Sequence, residues 1–292
     1  MDVSVTDAKG NFLSGLRKEQ FHVLDNGVEQ KITNFAPVES PAEILLLVET
    51  SPAVYLIHRQ HLVAAYLLLQ GLAPEDSVAL ASYDDQLHPL LRFTADKEFV
   101  AATLGRLHYN LGTAHLNLYD SLAAALAALP PSPSEAPNKR AIVLLSTGLD
   151  ESEGARWEPL AERLRSSPVV VYPVALGGEL RDAGHRTQTT PNADTTTLGF
   201  ERADRDLNEI ARLTGGHAYF PRKPEEFAGI YRNLSAALRH EYSLAFAPQA
   251  RDGSYHRLEV RVLDANGRPL PAIKGHSGFA VRSRPGYTAP AQ

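Results

Sequence analysis

The chain has 292 residues, of which 43% are hydrophobic and 22% are charged. This composition is typical of a globular protein with one large domain or two smaller ones, and it excludes wholesale disorder. The net charge of −5 argues against a general nucleic-acid-binding protein, and the absence of cysteine excludes disulfides and thiolate metal sites. The aliphatic run at 44–48 is far shorter than the roughly 20 apolar residues of a transmembrane helix, so we expect no membrane span.

The N-terminal segment is predicted to form β-strands. Val3 and Val5 alternate with polar residues, as in a strand with one buried face. Asn26-Gly27 separates two further strand-like runs, at 21–24 and 28–35. Asn-Gly at such a place predicts a tight hairpin, because both turn residues need positive φ angles.

The centre of the chain alternates between predicted strands and helices. Apolar or alternating runs predict strands at 44–48, 78–83, 87–93, 141–145, 169–175 and 217–220. Helical spacing predicts helices at 54–72, 96–107, 116–129, 155–166, 204–213 and 223–240. In the first of these helices, Leu62, Ala65, Tyr66 and Leu69 share one face. Two segments rich in Pro or in Gly and Thr predict loops, at 130–138 and 177–200.

Strand patterns return in the last fifty residues, where Leu258, Val260 and Val262 alternate with polar residues. Strands that alternate with helices imply a doubly wound, mostly parallel α/β sheet. A lone hairpin is only marginally stable, so the two β-rich chain ends are expected to pack together. We therefore predict an α/β domain at 39–240, inserted in a small β-sandwich that residues 1–38 and 241–290 form.

In an open α/β sheet, ligands bind at the carboxyl ends of the strands. This rule selects three candidate ligand-binding loops, at 49–53, 111–114 and 146–150. These loops and the order of the elements resemble the von Willebrand factor type A domain, a Rossmann-like fold, over about residues 41–240. The chain is closer still to the von Willebrand factor A-related proteins of Acidobacteria, through stretches outside the core: Val5-Thr6-Asp7 with Gly10, Leu16 to Phe21, Asp25-Asn26-Gly27, Leu213 to Gly216, and Arg284 to Tyr287.

The resemblance implies a degenerate metal-ion-dependent adhesion site. The family's site combines a DxSxS loop with a distant Thr and a distant Asp, which suits a hard divalent cation. In this chain Ser51 matches the first Ser and Thr113 the distant Thr. Glu49 replaces the first Asp, Ala53 the second Ser and Thr147 the second Asp. The metal ligands that remain are Glu49, Ser51 and Thr113, so no cofactor is expected and Mg²⁺ or Ca²⁺ would bind weakly.

Two observations refine this site. Glu49 is one methylene longer than Asp, which shifts its oxygens by more than the ~0.2 Å tolerance of a good metal site. Thr147 and Asp150 are candidate binding residues on the third loop. Asp150 can supply a carboxylate to the cation only if that loop folds back, and otherwise it is an ordinary charged loop residue.

Other sequence patterns do not support an enzyme. The chain has no P-loop, no GxGxxG after a strand and no GxSxG motif. His240-Glu241 begins like HExxH, but Leu244 stands where the second His is required. Asp84-Asp85 is predicted to form a solvated turn between two strands.

We therefore expect a non-enzymatic interaction or adhesion module that binds an unknown protein partner through the loop face, without nucleic acid. The resemblance implies a secreted or cell-envelope bacterial protein, and the first residues carry no signal-peptide pattern of their own. Three alternatives remain open. One is a metal-dependent adhesin that uses Glu49, Ser51 and Thr113; another is a hydrolase with a Ser-His pair; the third is a folded spacer.

Overall fold

A computed structural model describes most of the chain, namely residues 1–9, 11–39, 41–55, 58–112, 115–130, 139–151, 156–178, 181, 195–248, 250–274 and 277–289. Thr113 lies outside the described residues, as do residues 131–138 of the first predicted loop and most of the loop predicted at 177–200.

The bounds of the described elements follow the predicted order. The strands are β1 (Asp2–Asp7), β2 (Phe21–Asp25), β3 (Val28–Gln30), β4 (Ile32–Glu39), β5 (Ala42–Glu49), β6 (Ser77–Tyr83), β7 (Leu87–Thr94), β8 (Lys139–Ser146), β9 (Val170–Ala175), β10 (His240–Phe246), β11 (Tyr255–Val262), β12 (Phe279–Ser283) and β13 (Gly286–Thr288). The α-helices are α1 (Pro52–Tyr55), α2 (His58–Gly71), α3 (Lys97–Leu104), α4 (Leu118–Ala128), α5 (Trp157–Ser166), α6 (Thr195–Thr214) and α7 (Phe227–Arg239).

The central sheet has the strand order β7-β6-β5-β8-β9. All neighbouring strands run parallel except β7, which pairs antiparallel with β6. The middle strands β5 and β8 are buried along nearly their whole length, as strands covered on both faces must be. Helices α2, α3 and α7 cover one face, and α4, α5 and α6 cover the other. The predicted doubly wound α/β sheet is confirmed.

The two chain ends form a second unit of two antiparallel sheets, with the orders β12-β1-β10-β4 and β13-β11-β2-β3. Each sheet takes strands from both ends of the chain, and their inner faces share one apolar core that contains Val3, Phe21 and Tyr242. The predicted turn also forms, with φ angles of 49° at Asn26 and 84° at Gly27. The β-sandwich around an inserted α/β core is therefore confirmed, while the exact domain bounds stay a prediction.

Two details of the prediction are wrong. Helix α6 begins at Thr195, nine residues before the predicted start at Asp204, so the end of the loop predicted at 177–200 is helical. Thr and Gly disfavour helices, but Phe200 is buried and continues the apolar stripe of this helix into the core. The strand predicted at 217–220 is only an isolated bridge between Tyr219 and Val174.

A half-buried histidine lies where the sandwich meets the α/β core. The ring of His217 packs edge-on against Tyr219, with centroids 4.7 Å apart, beside Arg282 of β12. Burial, together with the positive charge of Arg282, lowers the pKa of His217 to about 4. The histidine is therefore neutral in the folded protein at pH values where the unfolded chain already binds a proton.

We expect this histidine to make the fold sensitive to acid. Stability should be lost as the pH falls from about 6.5 towards 4, with a loss of about 2 kcal/mol between pH 7 and pH 5. Urea unfolding at the two pH values measures it. His217→Phe should show a smaller loss, and His115→Phe, an exposed control, should behave like the wild type. An equal loss in the His217→Phe variant would show that another group is responsible.

Candidate functional site

The carboxyl ends of three parallel strands bring polar side chains together at one edge of the sheet. Glu49 ends β5, Tyr83 ends β6 and Ser146 ends β8. Glu49 and Tyr83 are register partners, which places them at the same level of the sheet. All three residues are fully buried. The strand order thus converts residues far apart in sequence into one buried polar cluster.

The Glu49 carboxylate accepts hydrogen bonds from four residues, and we call these five residues the Glu49 network. Oε1 accepts from the Ser51 hydroxyl at 2.6 Å, and Oε2 accepts from the Thr147 amide at 2.7 Å. The Thr147 hydroxyl lies 3.0 and 2.9 Å from the two oxygens. The hydroxyls of Tyr83 and Ser146 each lie 3.1 Å from Oε2 and 2.6 Å from one another. A carboxylate offers about four lone-pair positions, and these donors use them.

A glycine turn holds Thr147 in this position. The amide of Gly148 donates to the Ser146 hydroxyl at 2.7 Å, and its φ of 76° lies in the left-handed region. A Cβ atom at this residue would lie 2.8 Å from the side chain of Leu207 on α6. Both the backbone conformation and the close approach of α6 therefore require glycine here.

Arg181 adds a buried positive charge behind this turn. Its guanidinium donates to the carbonyl of Thr147 and, at 3.1 Å, to that of Leu176. It forms an ion pair with Asp204 and stands over the ring of Phe200, 4.8 Å from the centroid. Both of these partners belong to α6, so this helix supplies the counter-ion and one aromatic contact of the cation.

Burial shifts the titration of two groups at this site. It lowers the pKa of Arg181 to about 10, against the opposite effect of the negative charge of Glu49. The guanidinium therefore stays charged at neutral pH. Burial and the charge of Glu49 raise the pKa of Tyr83, so its phenol stays protonated and remains a donor.

The structure brings together three of the residues singled out in the sequence, Glu49, Ser51 and Thr147. Asp150 has a different contact, since its carboxylate accepts from the amide of Tyr119 at 3.0 Å in the first turn of α4. A negative charge at this place also stabilises the helix through its dipole.

Sequence reasoning missed three members of this site. Ser146 lay in a loop that had been selected, and Tyr83 ends a strand that had been predicted, so the rule on strand ends was able to identify both. Arg181 lies in a segment predicted as a loop, and nothing in the local sequence marks it.

Among the described residues, one group of His and carboxylate side chains has ligand atoms close enough to hold a metal, namely Asp84, Asp85 and His88, within 4.8 Å of one another. Asp84 is only 7% exposed, so the predicted solvated turn is wrong for this residue. Its carboxylate contacts the amides of Asp85 (2.8 Å) and Gln86 (3.4 Å), the side-chain amide of Asn110 (3.1 Å) and the ring of His88 (2.8 Å).

These contacts also set the charge of Asp84. Burial alone would raise its pKa, but the hydrogen bonds from His88, Asp85 and Asn110 lower it to about 2. The same carboxylate therefore joins the β6–β7 turn to the loop that follows α3, which is a sufficient structural role for a buried acid.

Comparison with known proteins identifies the fold. The sequence matches no protein-family profile and no curated protein. Among solved structures, a von Willebrand factor type A protein from Catenulispora acidiphila is similar over 92% of this chain and 73% of its own, with 13% identity and a TM-score of 0.51. Proximal thread matrix protein 1 from the mussel byssus, with a zinc-occupied MIDAS motif, is similar over 74% of this chain and 50% of its own, with 12% identity and a TM-score of 0.52.

The chain therefore has the fold of von Willebrand factor A domains, as the sequence resemblance implied. Identities of this size show the fold alone. Within the described part of the chain, no helix is both long and apolar enough to cross a membrane.

Proposed function

We propose that this protein is a non-enzymatic interaction module whose loop face binds a partner protein without a metal ion. The fold supports the general class, since von Willebrand factor A domains present the carboxyl ends of their strands to partners. The observation that carries the metal-independent form is the Glu49 network, in which donors of the protein itself occupy the carboxylate.

The donor set at Glu49 does not fit a divalent cation. Mg²⁺ and Ca²⁺ bind through oxygen lone pairs, and at Glu49 these accept from Ser51, Thr147 and the other members of the network. A cation would have to displace several of these donors and would be repelled by the charge of Arg181. The alternative of a metal-dependent adhesin that uses Glu49, Ser51 and Thr113 needs the same oxygens, so we do not favour it.

The position of Ser51 supports a non-enzymatic role. A nucleophilic serine must reach the substrate and pass its proton to a base. Ser51 is fully buried, and its hydroxyl donates to Glu49 at 2.6 Å. This arrangement favours a structural hydroxyl over a Ser-His hydrolase.

The remaining parts of the proposal rest on the sequence resemblance. They are the closeness to proteins of Acidobacteria, the location in the cell envelope or outside the cell, and the division into a von Willebrand factor A-like domain at 39–240 and a sandwich domain formed by 1–38 and 241–290. The sandwich serves in this proposal as the stem that presents the loop face.

Leu111, an exposed apolar residue in one of the three loops of the loop face, provides the test. Leu111 is 65% exposed, and the preceding residue, Asn110, bonds through its amide to the carbonyl of Thr50 at 2.9 Å. We expect Leu111→Lys to abolish the capture of a partner from cell-envelope extracts, and Val28→Lys, a matched control 63% exposed in the sandwich, to retain it. Capture should be equal in EDTA and in Mg²⁺. A partner that is retained only in Mg²⁺ would contradict the proposal.

A further inference from the structure

A cavity of about 450 Å³ opens beside the loop face, between the sheet and the carboxyl end of α3. Its lining includes Thr50 and Ser82 near the carboxyl ends of the strands, Leu90 of β7 and the loop 106–110. The cavity is thus continuous with the loop face but distinct from the Glu49 network, none of whose members lines it.

The floor of this cavity is apolar. Leu90 is 42% exposed although it lies in a strand, and Leu107 and Tyr109 face the same space. A partly exposed apolar floor of this size accommodates one aliphatic or aromatic side chain, and its burial would remove apolar surface from water.

The polar groups around the floor include donors that no described residue uses. The hydroxyl-bearing residue Ser82 lines the cavity and is only 5% exposed. Arg106 and His108 are exposed and also line the cavity, and their side chains make no ion pair or hydrogen bond within the described part of the chain. A guanidinium without an internal partner, in the lining of the same cavity as Ser82, fits a ligand that supplies acceptor oxygens.

Asp84, the acidic residue that lines the cavity, does not cancel the preference for a ligand with acceptor oxygens. Asp84 also lines the cavity, but its carboxylate already accepts from His88, from Asn110 and from two backbone amides. Asp85 is not among the lining residues. The positive charge of Arg106 therefore has no counter-ion among the described residues.

We propose that this cavity binds an acidic segment of a protein partner, with an apolar or aromatic side chain on the floor and an adjoining carboxylate at Arg106. The assignment of the ligand to a protein partner rests on the proposed interaction function. The preference of the cavity for an apolar group with a carboxylate is independent of that function. The carboxylate would accept a charge-assisted hydrogen bond from the guanidinium, while the apolar group covers Leu90 and Leu107.

Small probes test the cavity directly on the full chain. In titrations followed by ¹H–¹⁵N NMR, 3-phenylpropanoate should bind with millimolar affinity and shift the amides of residues 82 and 106–110. The neutral 3-phenylpropanol should bind about tenfold more weakly, because it lacks the charged partner of Arg106. Acetate, which has the charge without the apolar group, should not saturate.

Two exposed cavity positions, and a third exposed position as the control, give the variants. Arg106→Gln should reduce the affinity for 3-phenylpropanoate about tenfold and bring it to that for the alcohol. Arg232→Gln, on the exposed face of α7 and outside the cavity, should leave both affinities unchanged. Leu90→Glu, which places a carboxylate on the floor, should abolish binding of the propanoate. Equal affinities for acid and alcohol in the wild type, or shifts that map elsewhere, would overturn the proposal.

This test separates the cavity from the proposed function. If the partner captured in EDTA needs Leu111 but the probes do not bind at the cavity, only the present inference fails. If the probes bind as described and no metal-independent partner is found, the interaction function fails and the anion-binding cavity stands.

Discussion

Replacing Glu49 by Ala is expected to destabilise the folded protein by about 3–5 kcal/mol. The carboxylate is fully buried and accepts from Ser51, Thr147, Tyr83 and Ser146. Its removal leaves these donors buried without their acceptor, and it takes away one of the two negative charges near Arg181, so that only the ion pair with Asp204 remains.

The sign of this change in stability distinguishes an empty metal site at Glu49 from a hydrogen-bonded network. In an empty metal site, carboxylate and hydroxyl oxygens face one another, and removal of a ligand relieves repulsion or costs little. In the Glu49 network, removal exposes unsatisfied donors and must destabilise. Urea unfolding in EDTA measures the difference. Glu259→Ala serves as the control, since this residue is half exposed on β11 and should change stability by less than about 0.5 kcal/mol. A neutral or stabilising Glu49→Ala would contradict the hydrogen-bonded account.

Replacing Arg181 by Met is expected to cost about 3 kcal/mol, because it removes a buried guanidinium that pairs with the partly buried Asp204 and donates to two backbone carbonyls. Asp204 would lose its partner, and the carbonyl of Thr147 would lose a charged donor. The methionine keeps the apolar contact with Phe200, so the measured loss reports mainly the charge. Arg232→Met, at an exposed position, provides the matched control.

A double-mutant cycle links the two residues. If Arg181 supplies the positive charge that compensates Glu49, the loss in the double variant Glu49→Gln with Arg181→Met should be smaller than the sum of the single losses by at least about 1 kcal/mol. Urea unfolding of the four proteins gives this coupling energy. Losses that add within about 0.3–0.5 kcal/mol would show that the two charges are independent.

The sequence was sufficient for the architecture because its strongest signals are local. Continuous apolar runs identify β5 and β8, and Asn26-Gly27 defines the hairpin through its positive φ angles. The pairing of the two chain ends was also predictable, since neither end could bury its apolar strands alone. The start of α6 was not predictable, because the Thr- and Gly-rich first turns lie next to Phe200, whose burial under Arg181 is a tertiary contact that the local sequence does not show.

The site was predictable only in part, for a related reason. Glu49, Ser51 and Thr147 follow strands, so their convergence follows from the topology of a parallel sheet. What these groups do to one another depends on tertiary contacts. Arg181 reaches Thr147 and Asp204 from a segment without a recognisable pattern. Asp84 looked like a solvated turn residue because the loop with Asn110, which covers it, lies 26 residues away in the sequence.

The effect of Mg²⁺ on unfolding tests the central claim most directly. A ligand that binds only the folded state stabilises it by an amount that grows with the logarithm of its concentration. The account predicts that the wild-type protein unfolds at the same urea concentration in EDTA and in millimolar Mg²⁺ or Mn²⁺. A stabilisation that rises with the metal concentration and disappears in the Glu49→Gln variant would contradict it.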